Sequence, residues 1–227
     1  LSGLGITALV AFTLMLFGCG GGGSAATATG TFLDSPVEGL SYTSGSATGL
    51  TDASGTFTYV PGNTVRFMIG DIVLGETLGK RVVTPIDLVP AGTVSDPAVT
   101  NIVAFLMTLD DDGDPANGIL ITDTLRSAAL GKTVTFPQDA DTFAGDAGVQ
   151  AIIAELTTAT SAGARALVSA SVAQAHLTGT IGSYFAGAYA GTFSGDDSGT
   201  FSATFLADCT IGGVGKSVAS GAFTLTG

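Results

Sequence analysis

A turn followed by an alternating strand is encoded at residues 51–60, Thr-Asp-Ala-Ser-Gly-Thr-Phe-Thr-Tyr-Val. Asp and Ser bond to nearby backbone and Gly tolerates left-handed backbone, so this run favours a tight turn. Phe57 and Tyr59 then share one face, because successive strand side chains point to opposite faces. The same alternation recurs on both sides, at Leu40 and Tyr42 and at Val65, Phe67 and Ile69. Such short strands between frequent turns predict a small β-sandwich over residues 29–94.

A helical region is predicted to follow over residues 95–181. Asp96 and Pro97 form a helix start, and residues 99, 102, 103 and 106 are apolar at the spacing of one buried helix face. Further helices are expected near Asp123–Leu130, around residues 149–156 and at Arg165–Leu177, with a strand at Thr133–Phe136. These helices are expected to pack on a sheet or on one another.

Strands return over residues 182–227. Aromatic residues alternate on both sides of Gly195-Asp196-Asp197-Ser198-Gly199, which predicts a hairpin with a five-residue polar turn. Phe223 and Leu225 then begin another strand. A hairpin and one further partial strand cannot bury an apolar face. We therefore expect an incomplete β-domain whose chain continues past Gly227, and an α+β, mainly β fold class overall.

The amino-terminal segment has the pattern of a bacterial lipoprotein signal. An uncharged apolar run ends in Leu16-Phe17-Gly18-Cys19, which matches a lipobox except at Phe17, where a small or β-branched residue is usual. We expect residues 1–18 to be a signal peptide that lacks its charged start, because neither Met nor a basic leader precedes the run. Residues 19–28 would be a lipidated Cys19 and a flexible Gly/Ser tether. A cleaved ordinary signal or a short buried helix are the alternatives.

Charge and cysteine content narrow the possible partners. Seven basic residues oppose 19 acidic ones, a net charge of −12, which excludes nucleic acid as a partner because phosphate binding needs basic side chains. Of two cysteines, Cys209 lacks an intramolecular partner if Cys19 carries lipid. Gly20 differs from the Asp that retains lipoproteins in the inner membrane. We therefore expect a lipid-anchored protein of the outer membrane or cell surface.

One stretch has residues suited to binding a metal ion. Asp110, Asp112 and Asp114 alternate after a predicted helix, and Asn117 could add an oxygen, which are the donors that calcium prefers. Pro115 and Ile121 occupy positions where an EF-hand needs Gly and Glu, so the loop is not an EF-hand. Two interpretations stay open: a calcium site, or a solvated loop whose Asp residues form caps and turns.

No catalytic arrangement is recognisable in the sequence. His176 is the sole histidine, which excludes a two-histidine metal site, and its predicted place near a helix end favours a structural role. No Gly-x-Ser-x-Gly nucleophile turn is present. We therefore expect no enzyme activity and no cofactor other than calcium.

Two segments resemble known families. Val37-Glu38-Gly39-Leu40, Thr51–Phe57 and Pro61-Gly62 are similar to carboxypeptidase-regulatory-like, transthyretin-like sandwiches, and residues 67–88 resemble a recurring bacterial surface-lipoprotein domain. The run from Tyr189 to Phe201 resembles the first hairpin of glycine-rich β-meander domains of bacterial surface proteins. The resemblance to transthyretin-like sandwiches implies a spacer or binding module.

The combined expectation is a non-catalytic, lipid-anchored surface protein for adhesion or ligand display, stabilised by calcium if the acidic loop binds it. Its ligand would be an extracellular protein or polysaccharide, bound by loops that are free of core packing. The alternative is an accessory binding module of a longer secreted enzyme whose catalytic part lies beyond residue 227.

Overall fold

A computed structural model describes residues 26–227 of the chain. These residues form 13 strands in four sheets and five helices, with 29% of residues in helix and 32% in strand. The predicted α+β, mainly β class is therefore confirmed.

Seven of the first eight strands form two sheets, one mixed and one antiparallel, and β2 pairs elsewhere. One sheet has the order β5-β1-β8 and the other β4-β3-β6-β7. The strands are β1 (Ala28–Phe32), β2 (Val37–Glu38), β3 (Ser41–Ser44), β4 (Ala47–Leu50), β5 (Thr56–Tyr59), β6 (Thr64–Ile69), β7 (Ile72–Leu78) and β8 (Val82–Val83).

Aromatic side chains join these two sheets. Phe67 of β6 lies 4.8 Å from the ring of Phe32 and 5.0 Å from the ring of Phe57, both on the other sheet. Tyr42 of β3 contacts Phe57 at 5.9 Å. All three Phe side chains are at most 1% exposed, so the alternation seen in the sequence does point these residues into the core.

Five helices and one short strand follow. The helices are α1 (Pro97–Leu109), α2 (Asp123–Ala128), α3 (Ala140–Gly145), α4 (Ala147–Thr157) and α5 (Ala170–Phe185). Strand β9 (Ile119–Leu120) pairs in parallel with β2 and so attaches the helical region to the amino-terminal strands. One hydrophobic core extends from Phe32 through the helices to Leu177.

Helix α1 lies at the centre of this core. Every residue after Pro97 is buried, whereas the sequence predicts one buried face. Its polar side chains find partners inside the protein: the Asn101 amide donates to the carbonyls of Phe136 and Gln138, and the Thr108 hydroxyl donates to the Ala104 carbonyl. The predicted strand at 133–136 is wrong. The Phe136 carbonyl accepts a hydrogen bond from the Asn101 side chain, and the segment does not pair with any strand of the described residues.

The last four strands form one antiparallel meander, β10 (Gly187–Phe193), β11 (Gly199–Phe205), β12 (Ile211–Ser217) and β13 (Gly221–Thr226). The predicted hairpin is confirmed, but its five-residue turn is 194–198, one residue earlier than predicted, because Gly199 already pairs with Phe193. Strand β12 was not predicted, because glycines interrupt its apolar pattern. A Cβ on Gly215 would lie 2.1 Å from the Phe223 ring, so glycine is what allows that ring to cross the strand. Within residues 26–227, no helix has the length and apolar character needed to cross a bilayer.

Shortening one of the Phe side chains that lie between the two sheets tests this packing. We expect Phe67→Ala to lower the free energy of unfolding by about 3–5 kcal/mol, because it removes a buried ring and leaves a cavity between two sheets. Leu78→Ala on the neighbouring strand is the control, since Leu78 is 58% exposed and its loss should cost about 0.5 kcal/mol or less. Urea unfolding followed by circular dichroism measures both, and equal small losses would contradict the packing described.

Candidate functional site

The acidic loop begins at the carboxyl end of α1. Asp110 is the C-cap residue of this helix, and it is only 1% exposed although it carries a carboxyl group. A carboxylate at this end of a helix meets the negative end of the helix dipole. Asp110 is therefore in an environment that disfavours its negative charge.

Only one of the two Asp110 carboxylate oxygens has a hydrogen-bond partner among the described residues. Oδ1 accepts from the backbone N–H of Leu120 at 2.8 Å, whereas Oδ2 is buried without a partner. Burial raises the pKa of Asp110 to about 6, against the opposing effect of the Leu120 hydrogen bond. The neighbouring Asp112 carboxylate also raises it, and the Arg165 charge lowers it. An unpartnered carboxylate oxygen beside a second carboxylate is suited to a cation.

The other predicted ligands have different places in the loop. Asp112 is held by the Asp114 backbone N–H at 2.9 Å and by the Asn117 amide at 2.8 Å, which both lower its pKa. Asp114 instead caps the short 3₁₀ turn Pro115–Asn117 by accepting from the Ala116 N–H. The structure therefore brings Asp110, Asp112 and Asn117 to one place and gives Asp114 a capping role.

A cavity of about 300 Å³ opens beside these residues. Its walls include the acidic loop, the β9 segment and Glu38 of β2, which the pairing of β2 with β9 places there. Sequence reasoning missed Glu38, because it lies 72 positions before Asp110 and only the parallel pairing brings it near. No group of three His, Cys, Asp or Glu side chains within residues 26–227 is close enough to hold a metal ion together. Any ion here would rest on two carboxylates, with backbone carbonyls and water completing its shell.

Two further residues hold the loop in place. Asp111 points away toward the segment after α4, where it accepts hydrogen bonds from the backbone N–H and the hydroxyl of Ser161. Arg165 donates to the carbonyls of Thr108, at 2.7 Å, and Asp110. The geometry of the cavity is therefore fixed by the helical region and not by the acidic loop alone.

The remaining predicted residues lie elsewhere. His176 sits within α5 and not at a helix end, and its ring approaches the buried Asp34. The expected lipidation residue Cys19 and the lipobox residues Leu16, Phe17 and Gly18 lie outside the described residues.

Comparison with known proteins gives no relative for this chain: no family model, curated protein or solved structure matches it. The site is therefore interpreted from its own geometry.

The raised pKa of Asp110 has a consequence for stability. The folded state holds a proton that the unfolded state releases near pH 3.8, so stability should fall as the pH rises from about 4 to 6, by at most about 3 kcal/mol. In chelator, we expect Asp110→Asn to remove this fall and to be more stable than the wild type at pH 7.5, because the amide can donate to Asp112. The measurement is urea unfolding at pH 4.5, 6 and 7.5, with the exposed Asp141→Asn as control. An Asp110→Asn protein with the wild-type pH dependence would contradict the assignment.

Proposed function

We propose that this chain is a non-catalytic, lipid-anchored protein of the bacterial cell surface that displays a binding or adhesive module, and that calcium at the Asp110–Asp112 cavity stabilises it. The observation that carries the calcium proposal is the buried, unpartnered Oδ2 of Asp110 next to Asp112. In its ionised form this oxygen lacks any compensating donor, and a hard divalent cation would supply the missing charge.

The position of the cavity explains what the ion would do. Asp110 ends the buried helix α1, Asp112 belongs to the loop, and Glu38 belongs to β2. A cation held by Asp110 and Asp112 would fix the end of α1 to the loop, in the cavity that Glu38 also lines. Because few carboxylates take part, its affinity should resemble that of extracellular calcium modules, with Kd of about 10⁻⁴–10⁻³ M. Such a site is occupied at the calcium concentrations found outside cells.

The display role is supported by the two ends of the chain. The expected lipid on Cys19 and the tether that follows would place the folded part at a membrane surface. At the other end, the meander β10–β13 carries large apolar side chains that are open to solvent, including Tyr189 at 46%, Val214 at 58% and Val218 at 81% exposure. Tyr189 and Val214 line one cavity of the meander, and apolar side chains that share a surface are typical of sites that bind a partner.

Calcium titration tests the cation site. We expect the full chain to bind calcium with Kd of about 10⁻⁴–10⁻³ M by calorimetry. At ten times Kd, the melting temperature should rise by roughly 3–6 °C over chelator, from about 1.4 kcal/mol of linkage. Asp110→Asn should abolish both effects.

Asp114→Asn is the matched control for this titration, because Asn caps a helical turn as well as Asp does. It should bind calcium like the wild type if Asp114 is only a cap. Binding that is lost in Asp114→Asn and kept in Asp110→Asn would contradict the cavity and favour the simple alternating pattern of the sequence. Identical melts of the wild type in calcium and in chelator would contradict the site altogether.

Lipid anchoring is tested separately. When the chain is expressed in a bacterium with a lipoprotein pathway and fed an alkyne-tagged fatty acid, we expect label in the wild type and none in Cys19→Ser. Cys209→Ser, which changes the other cysteine, should keep the label. Label retained in Cys19→Ser would rule out Cys19 as the lipidation site.

A further inference from the structure

A buried acid and the sole histidine of the chain meet between two distant segments. Asp34 lies in the turn between β1 and β2, its side chain is 0% exposed, and neither carboxylate oxygen has a hydrogen-bond partner among the described residues. His176 of α5 places Nε2 at 3.6 Å from Asp34 Oδ1. This contact links α5 to the amino-terminal strands across 142 positions of sequence.

The surroundings of the pair carry little other charge. Nε2 of His176 also lies 3.5 Å from the Ser35 hydroxyl and 3.4 Å from the Asp34 carbonyl oxygen. His176 lines an open cleft of about 640 Å³, in which Tyr184 is the other titratable side chain and no Asp, Glu, Lys or Arg takes part. No charged neighbour contributes to the pKa of Asp34 or of His176. His176 is therefore the member of the pair that lines the cleft, and the charge of the pair depends on its own two groups.

Counting protons shows which state fits a buried site. With one proton, the pair is either two neutral groups or an adjacent ion pair, and it has no net charge. If the pair carries no proton, an uncompensated carboxylate is left in the interior. If it carries two protons, an uncompensated imidazolium is left there. Burial raises the pKa of Asp34 to about 8 and lowers that of His176, which agrees with one proton as the preferred state.

We propose that Asp34 and His176 form a one-proton latch, which holds α5 against the β1–β2 turn while the pair carries a single proton and weakens in mildly alkaline solution. Helix α5 leads directly into β10, so the latch controls how firmly the carboxy-terminal meander is attached to the rest of the protein. Ala173 and Leu177 keep α5 anchored in the shared core when the latch is weakened.

The proposal fixes the sign of the pH dependence. Just below pH 6.5 the unfolded chain carries one proton on His176, and the folded pair also carries one because burial raises the pKa of Asp34 and lowers that of His176, so the pair adds no pH dependence there. From about pH 6.5 to 8 the folded pair keeps a proton that the unfolded chain has lost. The unfolding equilibrium constant should therefore increase by up to about tenfold per pH unit in this range.

Two variants of the full chain separate the latch from other titrating groups. Asp34→Asn should remove the increase between pH 6.5 and 8, whereas His176→Gln should keep it and extend it below pH 6.5, because the compensating histidine is gone. Exposed Asp196→Asn is the control and should follow the wild type. Asp110 titrates below this range and affects all variants equally. Urea unfolding at half-unit pH steps gives these slopes, and equal slopes for the wild type and Asp34→Asn would overturn the proposal.

A measurement on the wild type alone tests the proposal even if a variant fails to fold. Because His176 is the sole histidine, its ring nitrogens give one unambiguous NMR titration. We expect a neutral ring at pH 6.5 and a shift change near pH 8 as Asp34 loses its proton, accompanied by faster amide exchange in α5 after correction for intrinsic rates. A single ordinary step at about pH 6.5 with no change near pH 8 would overturn the latch.

Discussion

The structure depends on one constraint: a helix buried on all sides must have its last carbonyl groups satisfied by the protein itself. The last residues of α1 are buried, and unpaired backbone groups are costly in the interior. Arg165 meets this need by donating to the carbonyls of Thr108 and Asp110, and it also donates to the Thr160 hydroxyl at 3.1 Å. The segment between α4 and α5 is thereby fixed to the end of α1.

The same constraint produces the candidate site. Asp110 uses one carboxylate oxygen to receive the Leu120 N–H, which secures β9 beside β2, and its other oxygen is left beside Asp112. A structural residue thus carries a charge that its surroundings satisfy only in part. The proposed cation would coordinate this oxygen and balance its charge, and it would make the stability of the folded chain depend on the calcium concentration.

Local patterns in the sequence account for much of the fold and only part of the site. Alternation predicted Phe57 and Phe67 as core residues, and Asp96 with Pro97 marked the start of α1, because these signals act over a few residues. Contacts across the chain were beyond such reasoning: Glu38 reaches the cavity through a two-residue parallel pairing, and Asp34 meets His176 across 142 positions. Asp114 was predicted as a ligand from spacing alone, although the short turn that follows it uses it as a cap.

The most direct test of the calcium site is a crystal structure of the full chain grown in about 10 mM calcium, a concentration above the expected Kd range. Anomalous diffraction would identify the ion. We expect an anomalous peak in the cavity about 2.3–2.6 Å from Asp110 Oδ2, with Asp112 in the same coordination shell and Asp114 still capping its turn. A cavity that holds only water, with a protonated Asp110 donating to Asp112, would contradict it.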